Sequence, residues 1–275
     1  MIVYFAALHV HALRRVIETL GPQPNGGVLL SFFGDSERLA DAVFARQHGW
    51  KVFLDSGAFS AMRRKKPVNL ADYAAFLRDH GNLFDRRASL DVIGNPIASA
   101  ANFKKLQKFD VLPVFHVGSP TKFLDPILAE NVPFALGGMV GIKGHELLAW
   151  QARTWRAIEK HGTHAVHGFG VTGTRTLAAF PWDSCDSTTP TAVGNRGLIP
   201  RWSKSGTPSF MNPAGFTKGA LARQLHVTRA FRGAHPGAMF ETDAHRSQLL
   251  VETARMILTF AARIDAHRAA QRRSA

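Results

Sequence analysis

The chain has 275 residues, of which 45% are hydrophobic and 20% charged, a balance typical of a soluble globular protein and unlike that of a disordered one. Its 34 Lys and Arg against 20 Asp and Glu give a formal net charge of +14, which predicts a polyanionic partner such as nucleic acid. No apolar run is long enough to span a membrane, and the single cysteine, Cys185, excludes an intrachain disulfide and a multi-cysteine zinc site.

Two further expectations follow from these bounds. A chain with one cysteine and no signal peptide in its first residues is expected in a reducing cytoplasm, bacterial or phage-infected. The alternative explanation of the charge is a general excess of arginine from a GC-rich genome, with no nucleic-acid partner.

Apolar runs alternate with helical periodicity from residue 28 to residue 180. This alternation predicts right-handed crossovers between parallel strands. It favours an α/β fold, a (β/α)8 TIM barrel, over an open sheet, although one of the eight units stays unassigned. The predicted strands are 28–33, 51–54, 88–91, 111–117, 133–138, 165–169 and 182–186. The predicted helices are 36–48 with Ser36 as N-cap, 70–80, 98–108, 121–130, 145–160 and 174–179.

The last third of the chain changes character. Residues 191–219 are rich in Gly, Pro, Ser and Asn and predict a long loop region. Residues 247–267 carry an apolar stripe at helical spacing and predict a long C-terminal helix, and the basic tail 268–275 is expected to fray. Neither a repeat nor a linker divides the chain, so we expect a single domain over residues 1–275.

Three acidic residues each follow or close a strand-like run and lead into a loop rich in Ser, Gly, Asn or Pro: Asp55, Asp91 and Asp186. In a parallel sheet all three would lie at the carboxyl ends of strands, on one face. A cluster of like charges there indicates a catalytic or ligand-binding site. Two alternatives stay open, because Asp55 could simply cap its own loop and Asp91 could cap the helix that follows it.

Other residues at the predicted strand ends suit a flat, hydrogen-bonding ring such as a purine. Phe59 and Phe169 could cover its two faces, and the carboxylate of Asp91 could accept the paired N–H donors of a guanine edge. Gly137 and Gly138 could let a carbonyl oxygen approach main-chain N–H groups, or they could only form a tight turn.

Two basic clusters are expected on the same face as the acids. One follows Asp55 and the other follows Asp186, and both are candidates for contacts with phosphates. The residues concerned are Arg63, Arg64, Lys65, Lys66, Arg201 and Lys204. The histidines at 161, 164 and 167 cannot converge on a metal ion if they lie on one strand, since residues three apart point to opposite faces, so neither a metal nor a cofactor is expected.

Taken together, these segments resemble the tRNA-guanine transglycosylase superfamily, (β/α)8 enzymes that exchange guanine for a 7-deazaguanine. Asp55–Ser60 is similar to the family's Asp-Ser-Gly-Gly-Phe/Tyr-Gln, and Ser89–Asp91 to its base-reading aspartate segment. Ala135–Gly141 resembles its Gly-Gly-Leu-Ala-Val-Gly, Phe169–Val171 its Met-Gly-Val-Gly, and Cys185–Thr191 its Phe-Asp-Cys-Val-Leu-Pro-Thr-Arg. The order of these segments matches the family over more than half of the chain.

The resemblance implies a role for each matching residue. Asp186 would be the nucleophile and Asp55 the general acid and base, with Asp183 as the rival nucleophile if the register differs. His116 falls where the family has a base-contacting glutamine. The residues expected to bind the base are Asp91 at the guanine edge, Phe59 and Phe169 on its faces, Gly137 and Gly138 at its carbonyl, and His116 and Met139.

Departures from the family narrow the expected substrate. The cysteines of the family's zinc site are absent and the chain is short, which favours the small zinc-free DNA-guanine transglycosylases of phages and bacteria. Ile142 and Lys143 stand where the family has a glutamate that binds the aminomethyl substituent of the incoming base. Their presence favours an incoming base with a neutral substituent, as in 7-cyano-7-deazaguanine. The expected partners are DNA, the deazaguanine base, and a helicase or ATPase.

Three alternatives remain beside this interpretation. The first is the same chemistry on tRNA, and the second is a non-catalytic nucleic-acid-binding barrel subunit. The third, a glycosidase or deoxyribosyltransferase of free nucleosides, would have no need of a surface charged +14.

Overall fold

The computed structural model describes residues 1–34, 38–142, 144–171, 173–212 and 243–274. Eight strands form one parallel sheet: β1 (Ile2–Ala6), β2 (Gly26–Ser31), β3 (Lys51–Asp55), β4 (Arg86–Arg87), β5 (Val114–His116), β6 (Phe134–Gly137), β7 (Val166–Gly168) and β8 (Ser184–Ser187). Their order is β4-β3-β2-β1-β8-β7-β6-β5. A parallel bridge between Ala88 and Leu112 joins the two edge strands. The predicted (β/α)8 barrel is confirmed.

Helices separate the strands along the chain. They are α1 (Val10–Leu20), α2 (Arg38–Gln47), α3 (Ala58–Arg63), α4 (Leu70–His80), α5 (Pro96–Leu106), α6 (Asp125–Ala129), α7 (Gly144–Lys160), α8 (Thr174–Ala179), α9 (Thr189–Arg196) and α10 (Asp243–Ser274). Local signals explain their starts: Asn69 caps α4 by accepting from the N–H of Ala71 at 2.8 Å, and Asn95 caps α5. The predicted N-cap Ser36 lies outside the described residues.

The unit left unassigned by the sequence is the first one, β1 with α1. The strand IVYFA is a run of β-branched, aromatic and small residues, and it lies at the centre of the sheet between β2 and β8. The helix buries Leu13, Val16 and Ile17 on one stripe. The polar residues His9 and His11 interrupt the apolar pattern between β1 and α1. For this reason the sequence pattern did not indicate a strand and a helix here.

Alternating side chains build two layers of core and position the polar residues. Tyr4, Phe53, Ala88 and Leu112 cluster together inside the barrel, whereas their neighbours along the strands pack against the helices. Asp55 follows Phe53 by two residues and therefore shares its face. The apolar cluster fills the barrel, and the next inward residues lie at its mouth, the end where the strands finish.

The prediction of one long loop over residues 191–219 is wrong for the described part. Pro190 lies in the first turn of α9, and Gly197 ends the helix with φ +60°. An antiparallel hairpin follows, made of β9 (Ile199–Trp202) and β10 (Pro208–Met211). The Gly, Pro and Ser residues of this region therefore mark a helix end and a hairpin turn, while residues 213–219 lie outside the described residues.

The prediction of a long C-terminal helix is confirmed, but its tail is not frayed. α10 continues to Ser274, and Arg268 near its end donates to the carbonyl oxygens of Leu177 and Phe180. Within the described residues, no helix is both long and apolar enough to cross a membrane.

Candidate active site

The carboxyl groups of Asp55, Asp91 and Asp186 meet at the mouth of the barrel. Asp55 ends β3 and Asp186 lies in β8, while Asp91 lies in the loop beyond β4, next to β3 in the sheet. Their proximity is evident from electrostatics, because the negative charges of Asp91 and Asp186 both act on Asp55. The expected convergence of these three residues is therefore present in the structure.

The pKa of the Asp55 carboxyl group is clearly shifted from its ordinary value. Burial is the main cause that raises the pKa of Asp55 to about 7, and the charges of Asp91 and Asp186 raise it further. Its Oδ2 accepts from the N–H of Gly57 at 3.0 Å, which partly offsets these effects. The loop-capping alternative thus describes a real contact, but the same carboxyl group also has a pKa near neutral.

Asp91 is held by two side chains. Ser56 Oγ donates to its Oδ1 at 3.2 Å, and its Oδ2 lies 2.8 Å from His116 Nε2. The side chains of Asp91 and His116 are only 11% and 6% exposed. Because Asn95 caps α5 instead, Asp91 is not the cap of that helix.

Gly137 and Gly138 make room for the ring of His116. A Cβ atom at Gly137 would lie 3.0 Å from His116 Cδ2, and one at Gly138 would lie 3.4 Å from His116 Cβ. Gly138 also has φ +71°, a left-handed conformation that favours glycine. The structure thus gives these glycines a steric reason, and their contact with a ligand carbonyl stays a prediction.

Asp186 is 7% exposed, and its Oδ1 accepts from the N–H of Gly170 at 2.7 Å. His167 Nε2 lies 3.6 Å from the same oxygen, beyond normal hydrogen-bond distance. Sequence reasoning gave no role to Ser56 or His167. Ser56 directly follows Asp55, and His167 alternates with Phe169 on β7 and its extension, so a signal for both was present.

Asp183, the rival nucleophile, lies at the opposite end of the barrel. Its carbonyl oxygen accepts from the N–H of Ile2, where β1 begins, and its carboxylate pairs with Arg86 at 2.7 Å, where β4 begins. We call this the amino end of the barrel. Asp183 therefore cannot act together with Asp55 and Asp91.

The candidate base-binding aromatic residues differ in their surroundings. Phe59 on α3 is 44% exposed, whereas Phe169 is half-buried and packs against the rings of Phe53 and His167. Met139 is buried, and its sulfur accepts from Gln151 Nε2 on α7 at 3.3 Å. Its side chain is thus turned towards the helix layer and is not placed to contact a base.

The first basic cluster, residues 63–66, is exposed and lies where α3 ends. Since α3 begins directly after Gly57, these side chains are close to the mouth. The guanidinium of Arg63 lies 6.0 Å from the centre of the Phe59 ring. The first basic cluster therefore lies on the same face of the barrel as the acids, as predicted.

The second basic cluster is at the amino end, so its expected position beside the acids is wrong. Trp202 lies under the guanidinium of Arg263, 4.4 Å from its ring centre. Arg263 follows Leu258, whose carbonyl oxygen accepts from Asn25 just before β2 begins. Because α9 and α10 run back along the barrel, the hairpin carries Arg201 and Lys204 away from the mouth.

Within the part of the chain that the structure describes, no three His, Cys, Asp or Glu side chains are arranged to hold a metal ion. Neither the models of known protein families nor the curated proteins contain a match to this chain. The arrangement of the side chains at the mouth is therefore the basis for a functional assignment.

Proposed function

We propose that this protein is a DNA-guanine transglycosylase that exchanges guanine in DNA for a 7-deazaguanine base through a covalent aspartyl–sugar intermediate. The observation that supports this most is the group of three carboxyl groups with different surroundings at one mouth. Asp55 has a pKa of about 7, Asp91 is hydrogen-bonded by two side chains, and Asp186 is held through one oxygen. Divergent environments of this kind separate an acid from a nucleophile.

In the first step, a carboxylate oxygen of Asp186 attacks C1′ of a deoxyguanosine that is flipped out of the duplex. The new O–C1′ bond forms as the glycosidic C1′–N9 bond breaks, and Asp55 gives its proton to a ring nitrogen of the departing guanine. The product is a sugar ester of Asp186, as in retaining glycosidases.

In the second step, the incoming base loses a ring N–H proton to the carboxylate of Asp55. The ring nitrogen then attacks C1′, the ester bond to Asp186 breaks, and the configuration at C1′ is retained. A proton carrier with a pKa near the working pH serves both steps, because it must release and recover the same proton.

The other residues at the mouth would recognise the substrate. Asp91 would accept the N1–H and N2–H₂ donors of the guanine edge, and Phe59 and Phe169 would stack on the base. The net charge of +14 and the exposed residues 63–66 favour a nucleic acid over a free nucleoside. A neutral nitrile substituent, as in 7-cyano-7-deazaguanine, and a helicase or ATPase that opens the duplex belong to this proposal.

The test is incubation of the protein with labelled guanine or labelled 7-cyano-7-deazaguanine and either plasmid DNA or bulk tRNA. We expect label in DNA, and none in DNA treated with Asp186→Asn. Asp183→Asn is the matched control, because it removes a carboxylate of the same strand region at the opposite end of the barrel, and it should stay active.

The outcomes separate the alternatives. Label in tRNA alone would show that the same chemistry acts on RNA. Binding of DNA without exchange would favour a non-catalytic barrel subunit. Exchange on free deoxyguanosine but not on DNA would favour a nucleoside deoxyribosyltransferase. If Asp186→Asn keeps full exchange activity, the nucleophile is wrongly assigned.

A further inference from the structure

His167 is a buried polar side chain next to Asp186 inside the barrel. It is fully buried, and its ring packs against Phe53 at 4.5 Å and Phe169 at 4.6 Å between centres. Nδ1 lies 2.9 Å from Ser184 Oγ on β8. Nε2 has no hydrogen-bond partner among the described residues and lies 3.6 Å from Asp186 Oδ1.

The surroundings fix which ring nitrogen carries hydrogen. Burial lowers the pKa of His167, although the neighbouring carboxylate of Asp186 acts in the opposite direction. This favours the neutral ring, which has a single N–H. A lone pair on Nε2 would face the carboxylate of Asp186 and be repelled by it. The favoured tautomer therefore has hydrogen on Nε2, directed towards Asp186, while the hydroxyl of Ser184 donates to Nδ1.

We infer that His167 is a positioning residue that, together with the N–H of Gly170, holds Oδ1 of Asp186 and leaves Oδ2 free to attack C1′. This inference rests on the proposed function. Both contacts of Asp186 that the described residues show fall on Oδ1, from Gly170 at 2.7 Å and from His167 at 3.6 Å. Hydrogen bonds of a catalytic group are often long without substrate and shorten in the complex, and here the shift needed is less than about 1 Å.

The two steps of the reaction depend differently on this donor. The first step converts the carboxylate to an ester, in which Oδ1 carries less negative charge and needs the donors less. The second step regenerates the carboxylate, and donors directed at Oδ1 stabilise the charge that develops there. His167 keeps its proton on Nε2 throughout. Loss of the donor should therefore slow the second step more than the first, so that the covalent adduct accumulates.

The test compares His167→Phe, which keeps a flat ring and removes the donor, with His167→Gln, which offers an N–H again. His164→Phe is the matched control, because both ring nitrogens of His164 also lack partners among the described residues but it precedes β7 at the amino end. We expect His167→Phe to lower the exchange rate about tenfold to hundredfold, the range for one hydrogen bond to a charged group. The fraction of enzyme trapped as covalent adduct should rise, His167→Gln should restore part of the rate, and His164→Phe should equal the wild type.

If His167 had only a structural role, the melting temperature and the exchange rate would fall together when it is replaced. The His167→Phe variant removes an unpaired N–H but also the acceptor of the buried Ser184 hydroxyl, which is destabilising by itself. The melting temperature is therefore measured in the His167→Phe/Ser184→Ala double variant, which buries neither unpaired group and should stay close to the wild type although the rate falls. An unchanged rate and adduct fraction in His167→Phe, with an active wild type, would overturn the inference and leave the proposed function standing.

A second readout does not depend on activity. The carboxyl ¹³C chemical shift of Asp186 at a fixed neutral pH should differ between His167→Phe and the wild type, and His167→Gln should reverse part of this change. If the wild type exchanges no base into DNA or tRNA, the proposed function fails, and this chemical shift still decides whether His167 contacts Asp186. An identical chemical shift in wild type and His167→Phe would refute that contact.

Discussion

Replacing Asp55 with asparagine should make the protein more stable at pH 8 and, under the proposed function, should strongly slow base exchange. The wild-type carboxylate is half-buried beside two other carboxylates, and these surroundings raise its pKa to about 7. The ordinary pKa of an aspartate is near 4, so the full shift corresponds to about 4 kcal/mol. Because solvent screens a partly exposed group, we expect a gain of about 1–2 kcal/mol.

The sign of the pH dependence follows from proton binding. The folded state holds the Asp55 proton more tightly than the unfolded state, so its stability is greatest below about pH 4 and falls as pH rises towards 7. Asparagine has no charge to bury, and its amide oxygen can keep the hydrogen bond from Gly57. The stability difference between the variant and the wild type should therefore be near zero at pH 4 and reach its maximum above pH 7.

Urea unfolding at pH 4, 6 and 8, followed by tryptophan fluorescence, measures this difference. The control is Asp183→Asn, which removes the partner of Arg86 and should lower stability at pH 7 by up to about 1 kcal/mol. The exchange rate of Asp55→Asn should fall at least about 100-fold, as expected when a general acid is lost. If Asp55→Asn is no more stable than the wild type at pH 8, or if its gain in stability does not vary with pH, burial and the charges of Asp91 and Asp186 do not raise the pKa of Asp55.

Two other predictions concern the loop after Asp55 and the basic clusters. Gly57→Ala should destabilise the protein by about 2–4 kcal/mol, because φ is +80° and the added Cβ would lie 2.4 Å from a neighbouring side chain. Gly94→Ala, with φ +78° and open space around it, should cost only about 1 kcal/mol, and equal losses in chemical denaturation would contradict this. Alanine at all four of residues 63–66 should reduce the slope of log affinity for duplex DNA against log salt by up to about 4. Alanine at Arg201 and Lys204 should leave exchange at saturating DNA unchanged. If the variant with alanine at Arg201 and Lys204 loses more exchange activity than the variant with alanine at residues 63–66, DNA approaches the barrel from its amino end.

Much of the barrel could be predicted because buried parallel strands are continuous apolar runs between turn residues. The apolar strand β1 follows this rule and was missed because His9 and His11 interrupt the pattern beyond it, whereas β4 breaks the rule. β4 is Arg86–Arg87, and its charges are tolerated because Arg86 pairs with Asp183 and Arg87 with Asp110. The apolar residues that follow it were taken for the strand, whereas Ala88 provides the bridge that joins β4 to β5.

The positions of the three acids could be predicted, but their partners could not. The carboxyl ends of parallel strands lie at one end of the barrel, and this rule was enough to place Asp55 and Asp186 at the mouth. It contains no information on contacts between strands, so the pairs of Asp91 with His116 and of His167 with Ser184 were not foreseen. The misplacement of Arg201 has a similar cause, since distance along the chain does not show that α9 runs back along the barrel.

The donors around each carboxyl group explain how three acids can share one mouth. Asp91 has contacts from Ser56 and His116, and Asp186 has a main-chain N–H at 2.7 Å with His167 beside it. For Asp55, the donors among the described residues are main-chain N–H groups, and burial together with the charges of Asp91 and Asp186 raises its pKa to about 7. Under the proposed function, Asp55 is therefore the residue that gives its proton to the departing base. Asp186, whose contacts among the described residues both fall on Oδ1, is then the residue with an oxygen left to attack C1′.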